Sequence, residues 1–174
     1  AIHLYLPHIL KQEGLMTKGD IYVVGVVHEE DAGFGSMMMA EYGFHTDYAV
    51  VGEASENDLA IACRGRVGIE VTISGKSCHA SVPHEGVNPF SFLGGFLIGL
   101  NDYKVSKNPK YGQSLISATR ISSSEPGTNV VPNSIRVSLD YRSVPGETNE
   151  QVIAQLNEIA ARCAVPGVTV EIQP

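Results

Sequence analysis

The sequence has no apolar run that approaches the roughly 20 residues needed to span a bilayer, and it has no cluster of lysine and arginine. Its formal net charge is −7, which argues against nucleic acid and anionic membranes as partners. The N-terminus lacks the basic start and small-residue cleavage site of a signal peptide. The three cysteines show no Cys-x-x-Cys pairing. We therefore expect a reduced, cytoplasmic protein.

Residues 1–63 predict an incomplete α/β domain. The pattern favours a helix over Ala1–Glu13, a buried strand over Ile21–Val27, a short helix over Gly35–Tyr42 and a second buried strand over Tyr48–Val51. Uninterrupted apolar runs are typical of strands that are covered on both faces of a parallel sheet. Because two strands make a poor sheet, we expect this part to pack poorly and to expose apolar surface unless another chain covers it.

Residues 64–174 predict a complete β-α-β-β-α-β unit, the order of a ferredoxin-like sandwich with a four-stranded sheet and two helices on one face. The change from buried runs to half-buried alternation places the boundary in the stretch Cys63–Gly68. The predicted elements are a strand from about Gly65 to Gly75, a helix after Asn88-Pro89, strands over Ser114–Ile121 and Ser134–Arg142, a helix opened by a capping box of Thr148 and Gln151, and a strand over Val168–Ile172.

Acidic side chains follow both predicted buried strands. The first strand runs into His28-Glu29-Glu30-Asp31 and the second into Gly52-Glu53. Ligands of open α/β sheets gather beyond the carboxyl ends of strands, and adjacent strands lie about 4.8 Å apart, so Glu30 and Glu53 are expected to point into one site. Two carboxylates at so short a distance repel each other, and a divalent metal ion between them is one way to neutralise their charge. The alternative is that these acids are solvated loop residues.

Four short motifs follow one another along the chain. They are His28-Glu29-Glu30-Asp31-Ala-Gly-Phe-Gly-Ser36; Gly52-Glu53-Ala-Ser55; Gly75-Lys-Ser-Cys-His79-Ala-Ser-Val-Pro83 followed by Gly86-Val-Asn88; and Thr128-Asn129-Val-Val-Pro132 ending in Asp140-Tyr-Arg142. Each is weak alone, but together and in this order they resemble the zinc-dependent amidohydrolase and metallopeptidase family of acetylornithine deacetylase, succinyl-diaminopimelate desuccinylase, aminoacylase and carboxypeptidase G-type enzymes. The lid, or dimerisation, domain of that family has the β-α-β-β-α-β order predicted above.

The resemblance implies a metal-dependent hydrolase that cleaves the amide bond of an N-acyl amino acid or small peptide. Two zinc ions, or cobalt, would occupy the family's site. Glu29 would be the general base that takes a proton from a metal-bridging water. Glu30 and Glu53 would be metal ligands.

The resemblance also assigns roles to the lid domain. His79 would reach the active site of the partner subunit and stabilise the oxyanion of the tetrahedral intermediate. Asn129 and Arg142 would help to hold the substrate, and the guanidinium fork of Arg142 suits a carboxylate. Two lid domains would pair about a two-fold axis to form a homodimer.

Each lid residue has a simpler explanation. A histidine in a Gly/Ser/Pro loop, such as His79, is more often a surface or capping residue than a catalytic one. Arg142 suits an exposed cross-strand partner, and Asn129 suits a turn. A nucleophilic Cys78–His79 pair is rejected, because adjacent residues on an extended strand point to opposite faces.

The motif match lacks three metal ligands of the family. These come from a His-x-Asp motif and a bridging Asp upstream of the Glu-Glu segment, and from a His near the C-terminus; none of the three is in the sequence. Ala54 also stands where a proline commonly follows the ligand acid. Two carboxylates do not make a zinc site. We therefore expect this chain to be an inactive fragment without tight zinc, whose lid still folds.

Three hypotheses follow from these patterns. The first is an amidohydrolase whose flanking segments are missing from this chain. The second is a non-catalytic dimerisation or binding module derived from the lid. The third is an unrelated ferredoxin-like regulatory domain with chance motif matches. The presence of Glu29, Glu30 and Glu53 favours the first, because a repurposed lid needs neither a base nor metal ligands.

Overall fold

The computed structural model describes residues 1–15, 17–30, 33–56 and 58–174. The chain divides into two compact units, Ala1–Leu59 and Ala60–Pro174. None of the helices in the described ranges has both the length and the apolarity needed to cross a membrane.

The first unit contains two helices and, in its described residues, no β-strand. Helix α1 spans Ile2–Gln12 and helix α2 spans Phe34–Glu41, which confirms both predicted helices. The predicted buried strands over Ile21–Val27 and Tyr48–Val51 are wrong: neither segment belongs to a ladder. The large apolar side chains of the two segments are between 37% and 93% exposed.

The failure of these two strand predictions has a physical reason. An apolar run shows that a segment is suited to burial, but a strand also needs a neighbouring strand to pair with its backbone N–H and C=O groups. The described residues of the first unit supply no such neighbour. The exposed apolar surface agrees with the expectation that this part of the chain packs poorly.

The second unit, described without a gap over residues 60–174, has a mixed α/β fold with one main sheet and two α-helices. The β-α-β-β-α-β order of its long elements is confirmed. Four short strands, β2, β3, β4 and β6, were not predicted. The elements are β1 (Gly65–Ser74), β2 (Cys78–His79), α3 (Phe90–Gly99), β3 (Lys107–Asn108), β4 (Gly112–Gln113), β5 (Leu115–Ser123), β6 (Val130–Val131), β7 (Ser134–Ser143), α4 (Asn149–Arg162) and β8 (Thr169–Gln173).

The strands of this unit form one antiparallel sheet and two ribbons. The sheet has the order β5-β7-β1-β8, while β2 pairs with β6 and β3 pairs with β4. Helix α3 connects β1 to β5 across β7, and helix α4 connects β7 to β8 across β1. Because such crossovers share one hand, both helices lie on the same face of the sheet, with α3 on the β5 side.

The core of the unit lies between the sheet and the two helices. Alternate residues of β1 and β7 meet across the sheet, as in the pair Val71 and Val137, and their side chains share one face. Both helices point a stripe of apolar residues at that face. The side chains with no exposed surface include Val71, Ile73, Phe96, Ile135, Val137 and Leu156.

Local signals in the sequence explain where the helices begin and how closely they pack. The Thr148 hydroxyl accepts a hydrogen bond from the Gln151 N–H at 3.3 Å, and the Gln151 side chain accepts one from the Thr148 N–H at 3.1 Å. This reciprocal pair confirms the predicted capping box of α4. Within α3, Gly94 faces open space and Gly95 lies against Cys163 at the C-terminal end of α4.

A partly buried acid, Glu147, stabilises the turn between β7 and α4. The Tyr141 hydroxyl donates to one oxygen of Glu147 at 2.6 Å, and the Val144 N–H donates to the other at 3.0 Å. Burial alone would raise the pKa of Glu147, but hydrogen bonds from Ser106, Tyr141 and Val144 outweigh it and hold the pKa below its usual value. The turn is therefore held by a charged carboxylate near neutral pH.

Candidate functional site

A two-stranded ribbon brings together the backbones of two residues singled out in the sequence. In this ribbon, which we call the His79 ribbon, β2 pairs with β6 so that His79 lies opposite Val130. The Ala80 N–H donates to the Asn129 carbonyl oxygen at 2.9 Å. His79 and Asn129 therefore sit on neighbouring backbones, and both residues are exposed.

Glycines allow the loop that carries His79 to fold tightly. The Lys76 and Val87 backbones exchange two hydrogen bonds of 2.9 Å, which closes the loop at its base. A Cβ at Gly75 would overlap the Val87 carbonyl oxygen, and one at Gly86 would overlap the Cys78 side chain. Both glycines of the third motif are thus required by close backbone and side-chain approach rather than by turn geometry.

The His79 ring is held by its own loop. Its Nδ1 atom lies 2.7 Å from the Ser81 hydroxyl oxygen and accepts a hydrogen bond from the Ser81 N–H at 3.2 Å. The Val82 N–H donates to the His79 carbonyl oxygen at 3.0 Å. The ring is therefore oriented by side-chain and backbone contacts, although it is exposed.

Arg142 is oriented by a carboxylate on the same strand. Its Nε donates to Asp140 at 2.6 Å and its Nη2 donates to the other oxygen at 3.4 Å. Arg66, the cross-strand neighbour of Arg142, donates its Nε to Asp140 at 2.6 Å. The hydrogen bond from Arg66 is the largest cause that holds the pKa of Asp140 below its usual range. Desolvation acts in the opposite direction, and the contacts with Arg142 lower the pKa further. Asp140 therefore stays charged. Within the described residues the Arg142 Nη1 makes no hydrogen bond, so it can bind an anion.

Three cations line a cleft at this end of the sheet, which we call the Arg142 cleft. Its volume is about 640 Å³, and none of the described residues that line it is acidic. The Arg64 Nη1 donates to the Gln113 carbonyl oxygen at 2.9 Å, and the Lys110 Nζ lies 5.5 Å from the Tyr111 ring centre. The lining residues are Ile61, Ala62, Cys63, Arg64, Lys110, Tyr111, Leu115 and Arg142.

The Arg142 cleft is suited to an anionic ligand. Asp140 pairs with Arg142, so the attraction of the cleft for a carboxylate comes from Arg64 and Lys110 together with the remaining donor of Arg142. This local positive charge contrasts with the net charge of −7 of the chain. Sequence reasoning missed Lys110, because a lysine at the tip of the β3–β4 ribbon carries no motif. Arg64 was noted as part of a domain boundary, and its place in the cleft depends on the register of β1 against β7.

The His79 ribbon and Arg142 lie at opposite ends of the sheet. Arg142 pairs with Arg66 near the start of β1, whereas Ser134 pairs with Ser74 at the end of β1. The ribbon follows that second end, where the Gly75 N–H donates to the Asn133 carbonyl oxygen at 2.8 Å. At about 3.3 Å per residue, Ser134 and Arg142 are about 26 Å apart along β7. One copy therefore does not bring His79, Asn129 and Arg142 onto one small ligand.

The predicted general base and one predicted ligand lie in a tight loop of the first unit. Glu29 and Glu30 follow Val27 and precede α2, and both carboxylates are exposed. The Gly35 N–H donates to the Val27 carbonyl oxygen at 3.1 Å, and a Cβ at Gly35 would lie 2.6 Å from that oxygen. A glycine is therefore needed for the loop to close. Asp31 of the same motif lies outside the described residues.

The second predicted ligand, Glu53, is an exposed residue of an irregular segment in the same unit. Gly52 before it packs against the His3 ring of α1. The expectation that neighbouring strands deliver Glu30 and Glu53 to one site is wrong, because the segments before them form no ladder. Across the described ranges, no group of three or more His, Cys, Asp or Glu residues is placed to hold a metal ion. The described residues therefore do not by themselves complete a zinc site.

Comparison with known protein families gives one match over most of the second unit. The family described as "Peptidase dimerisation domain" matches residues 61–168. The chain belongs to this M20 peptidase dimerisation family. The match contains both the His79 ribbon and Arg142, so these features belong to the dimerisation domain.

Relatives of this dimerisation-domain chain are longer proteins. It is 27% identical over 165 residues to YgeY from Escherichia coli (strain K12), which covers 92% of the chain and 41% of YgeY. It is 28% identical over 162 residues to succinyl-diaminopimelate desuccinylase from Phenylobacterium zucineum, which covers 90% of the chain and 39% of that enzyme. The chain thus spans about two fifths of the length of the curated relatives it matches.

A solved structure shows the same fold. Aminopeptidase PepT from Bacillus cereus ATCC 10987 aligns with a TM-score of 0.64 at 18% sequence identity, covering 95% of this chain and 44% of that one. At this identity the likeness concerns the fold.

Proposed function

We propose that the whole protein is a metal-dependent hydrolase that cleaves the amide bond of N-acyl amino acids or small peptides. The observation that carries this proposal is the His79 ribbon, an exposed element of the dimerisation domain that places His79 and Asn129 on neighbouring backbones. Membership of the M20 peptidase dimerisation family supports it. The name of the desuccinylase relative, whose chemistry is removal of a succinyl group from an amino acid, supports it as well.

Because the His79 ribbon and the Arg142 cleft lie at opposite ends of the sheet, a site that uses both needs residues from two copies of the chain. A small acyl amino acid does not reach from the ribbon to the Arg142 cleft of the same copy, about 26 Å away. In a two-fold dimer, however, each copy can offer its ribbon to the site of the other. We therefore propose that the partner's His79 and the partner's Asn129 act in the site where Arg142 of the first copy binds the substrate.

One flank of the second unit is suited to form this dimer. Strand β5 is an edge of the sheet, and Ile121 on it is 48% exposed although its cross-strand neighbour Val137 is fully buried. On α3, Phe90 and Ile98 are 47% and 72% exposed. An apolar helix beside an unpaired strand edge is a surface that a second copy of the chain would cover. We propose this flank as the dimer interface.

Within the reaction, each side chain has a role that follows from its chemistry. The C–N bond of the amide is broken by water, which yields a carboxylic acid and an amine. Glu29 accepts a proton from the attacking water. The imidazole of His79 donates a hydrogen bond to the oxygen that becomes negative in the tetrahedral intermediate. The amide of Asn129 donates a hydrogen bond that helps to hold the substrate. Arg142 binds the α-carboxylate of the substrate.

The metal remains a proposal that rests on the motif resemblance. Zinc or cobalt would be held in part by Glu30 and Glu53, and it would supply a Lewis acid to the amide carbonyl and the water. Further ligands would have to come from other parts of the whole protein, since carboxylates from two residues do not complete such a site.

Three finer assignments are also proposals. The strand order β5-β7-β1-β8 with both helices on one face supports a ferredoxin-like sandwich. We propose a boundary between a catalytic-domain part, residues 1–63, and the dimerisation domain, residues 64–174. The unpaired, free cysteines support a reducing, cytoplasmic location.

An assay of the whole protein with zinc and with cobalt tests the proposed function. We expect hydrolysis of N-acetyl and N-succinyl amino acids, and little hydrolysis when the α-carboxylate is blocked as an amide. Arg142→Ala should raise KM for the free acid about 10- to 100-fold, because a charged hydrogen bond is lost, whereas Arg136→Ala, which removes an exposed arginine of β7, should not. The absence of amide hydrolysis with both metals, in a protein that still forms dimers, would instead support a non-catalytic dimerisation module.

A further inference from the structure

The hydrogen-bond pattern around His79 determines which ring nitrogen carries the hydrogen. A backbone N–H can only donate, so the Ser81 N–H at 3.2 Å requires Nδ1 to be an acceptor. The Ser81 hydroxyl, 2.7 Å from the same nitrogen, can donate to it too. A neutral imidazole with an unprotonated Nδ1 carries its one hydrogen on Nε2.

The other ring nitrogen is left free to meet a ligand. Among the described residues, Nε2 makes no hydrogen bond, and the His79 side chain is exposed. With Nδ1 occupied by Ser81, the ring presents an N–H donor and not a lone pair to its surroundings. A donor is what a developing oxyanion needs, whereas a lone pair would repel it.

The backbone around Ser81 keeps this arrangement in place. His79 lies in the ladder opposite Val130, and Ala80 between His79 and Ser81 is bonded to Asn129. The Val82 N–H closes a turn onto the His79 carbonyl oxygen at 3.0 Å. Hydrogen bonds made by the backbones of Ala80 and Val82, on either side of Ser81, therefore fix Ser81 relative to the ring. Its hydroxyl and its N–H are thus already in place to donate to Nδ1.

We propose that Ser81 is a positioning residue that holds His79 in the Nε2–H tautomer, so that the ring donates to the oxyanion of the partner's substrate. This inference rests on the proposed function for its catalytic consequence. Its structural part, the tautomer, is independent of any reaction. The two parts are therefore tested separately.

Nitrogen NMR of the histidine rings tests the tautomer in the 174-residue chain. At a pH where the ring is neutral, His79 should show hydrogen on Nε2 and a lone pair on Nδ1. Ser81→Ala removes the hydroxyl donor at 2.7 Å and keeps only the longer backbone donor at 3.2 Å, so a fraction of the rings should change to the Nδ1–H form. Ser81→Thr should restore the wild-type pattern. His84, an exposed histidine in the same loop whose ring makes no hydrogen bond to a serine within the described residues, serves as the control ring. An Nδ1–H form of His79 in the wild-type chain would overturn the proposal.

Steady-state kinetics of the whole protein test the catalytic part. Ser81→Ala should lower kcat on the order of tenfold, as is common when a group that orients a functional histidine is removed, with KM unchanged and with Ser81→Thr close to wild type. Ser77→Ala removes another exposed hydroxyl of the loop and should leave kcat unchanged. If the wild-type protein hydrolyses no amide, the proposed function fails while the NMR result still decides the tautomer. If it hydrolyses amides and Ser81→Ala matches Ser77→Ala in both measurements, the role of Ser81 is refuted.

Discussion

Mixing a His79→Ala copy with an Arg142→Ala copy should restore activity that neither variant has alone. Each homodimer of a single variant lacks one group in both sites. Its kcat/KM should fall about 10²- to 10³-fold for His79→Ala and about 10- to 100-fold for Arg142→Ala. In a mixed dimer, one site receives Arg142 from the first copy and the partner's His79 from the second, and so contains both. Random exchange makes half of the dimers mixed, each with one intact site of two. About one quarter of wild-type activity is therefore expected.

The design of the mixing experiment separates this explanation from simple stabilisation. The two variants carry different affinity tags and are purified through both, so that every dimer measured is mixed and the expected activity rises from about one quarter to about one half of wild type. The control is a copy that carries both substitutions, paired with a wild-type copy: each of its two sites lacks one group, and its activity should stay low. If the doubly substituted pair were active and the singly substituted pair were not, His79 and Arg142 would act within one copy.

A charge on the proposed interface should convert the dimer to monomers and abolish activity. Ile98→Asp on α3 and Ile121→Asp on β5 each place an unpaired carboxylate where two apolar surfaces would meet. Burying such a charge without a partner costs several kcal/mol, which weakens dimerisation about a hundredfold or more. Because the site needs groups from both copies, kcat/KM should fall with the dimer population, about 10²-fold or more at dilute protein.

Thr169→Asp provides the matched control on the opposite edge strand. Thr169 is an exposed residue of β8. The same new charge there should leave the protein dimeric and its activity unchanged. Native mass measurement gives the oligomeric state, and the unfolding temperature confirms that each variant is folded. A dimer that survives both isoleucine substitutions would place the interface on another surface.

The elements of the second unit were predictable because their signals are local. Alternation along Gly65–Ser74 and Ser134–Ser143 follows from the period of a strand with one buried face, and the structure pairs these two strands over their full length. The Thr148 and Gln151 capping box marks the start of α4 to the residue. In such cases the local sequence determines the secondary structure of the same segment, so the prediction does not require knowledge of distant contacts.

The parts that failed depend on distant partners. The apolar run Ile21–Val27 carries the composition of a buried strand, but the described residues around it supply no strand to pair with. The Arg142 cleft gathers side chains from the segment before β1, the loop between β3 and β4, β5 and β7, which lie far apart in sequence. The motif resemblance named His79, Asn129 and Arg142, yet their distribution over two ends of a sheet required the strand register.

The central claim is that His79 and Arg142 serve one site but come from different copies. Distances between spin labels test it directly. Cys63, an exposed residue of the Arg142 cleft, carries one label, and His84→Cys near the ribbon carries the other, with Cys78 and Cys163 replaced by serine and alanine.

Two labelled samples of the whole protein then give two distances. A copy with both labels, diluted into unlabelled protein, reports the distance within one copy, which should be about 30 Å or more because β1 lies between the labels. A mixture of singly labelled copies reports the distance between copies, which we expect to be clearly shorter. A distance between copies that is longer than the distance within one copy would contradict the shared site.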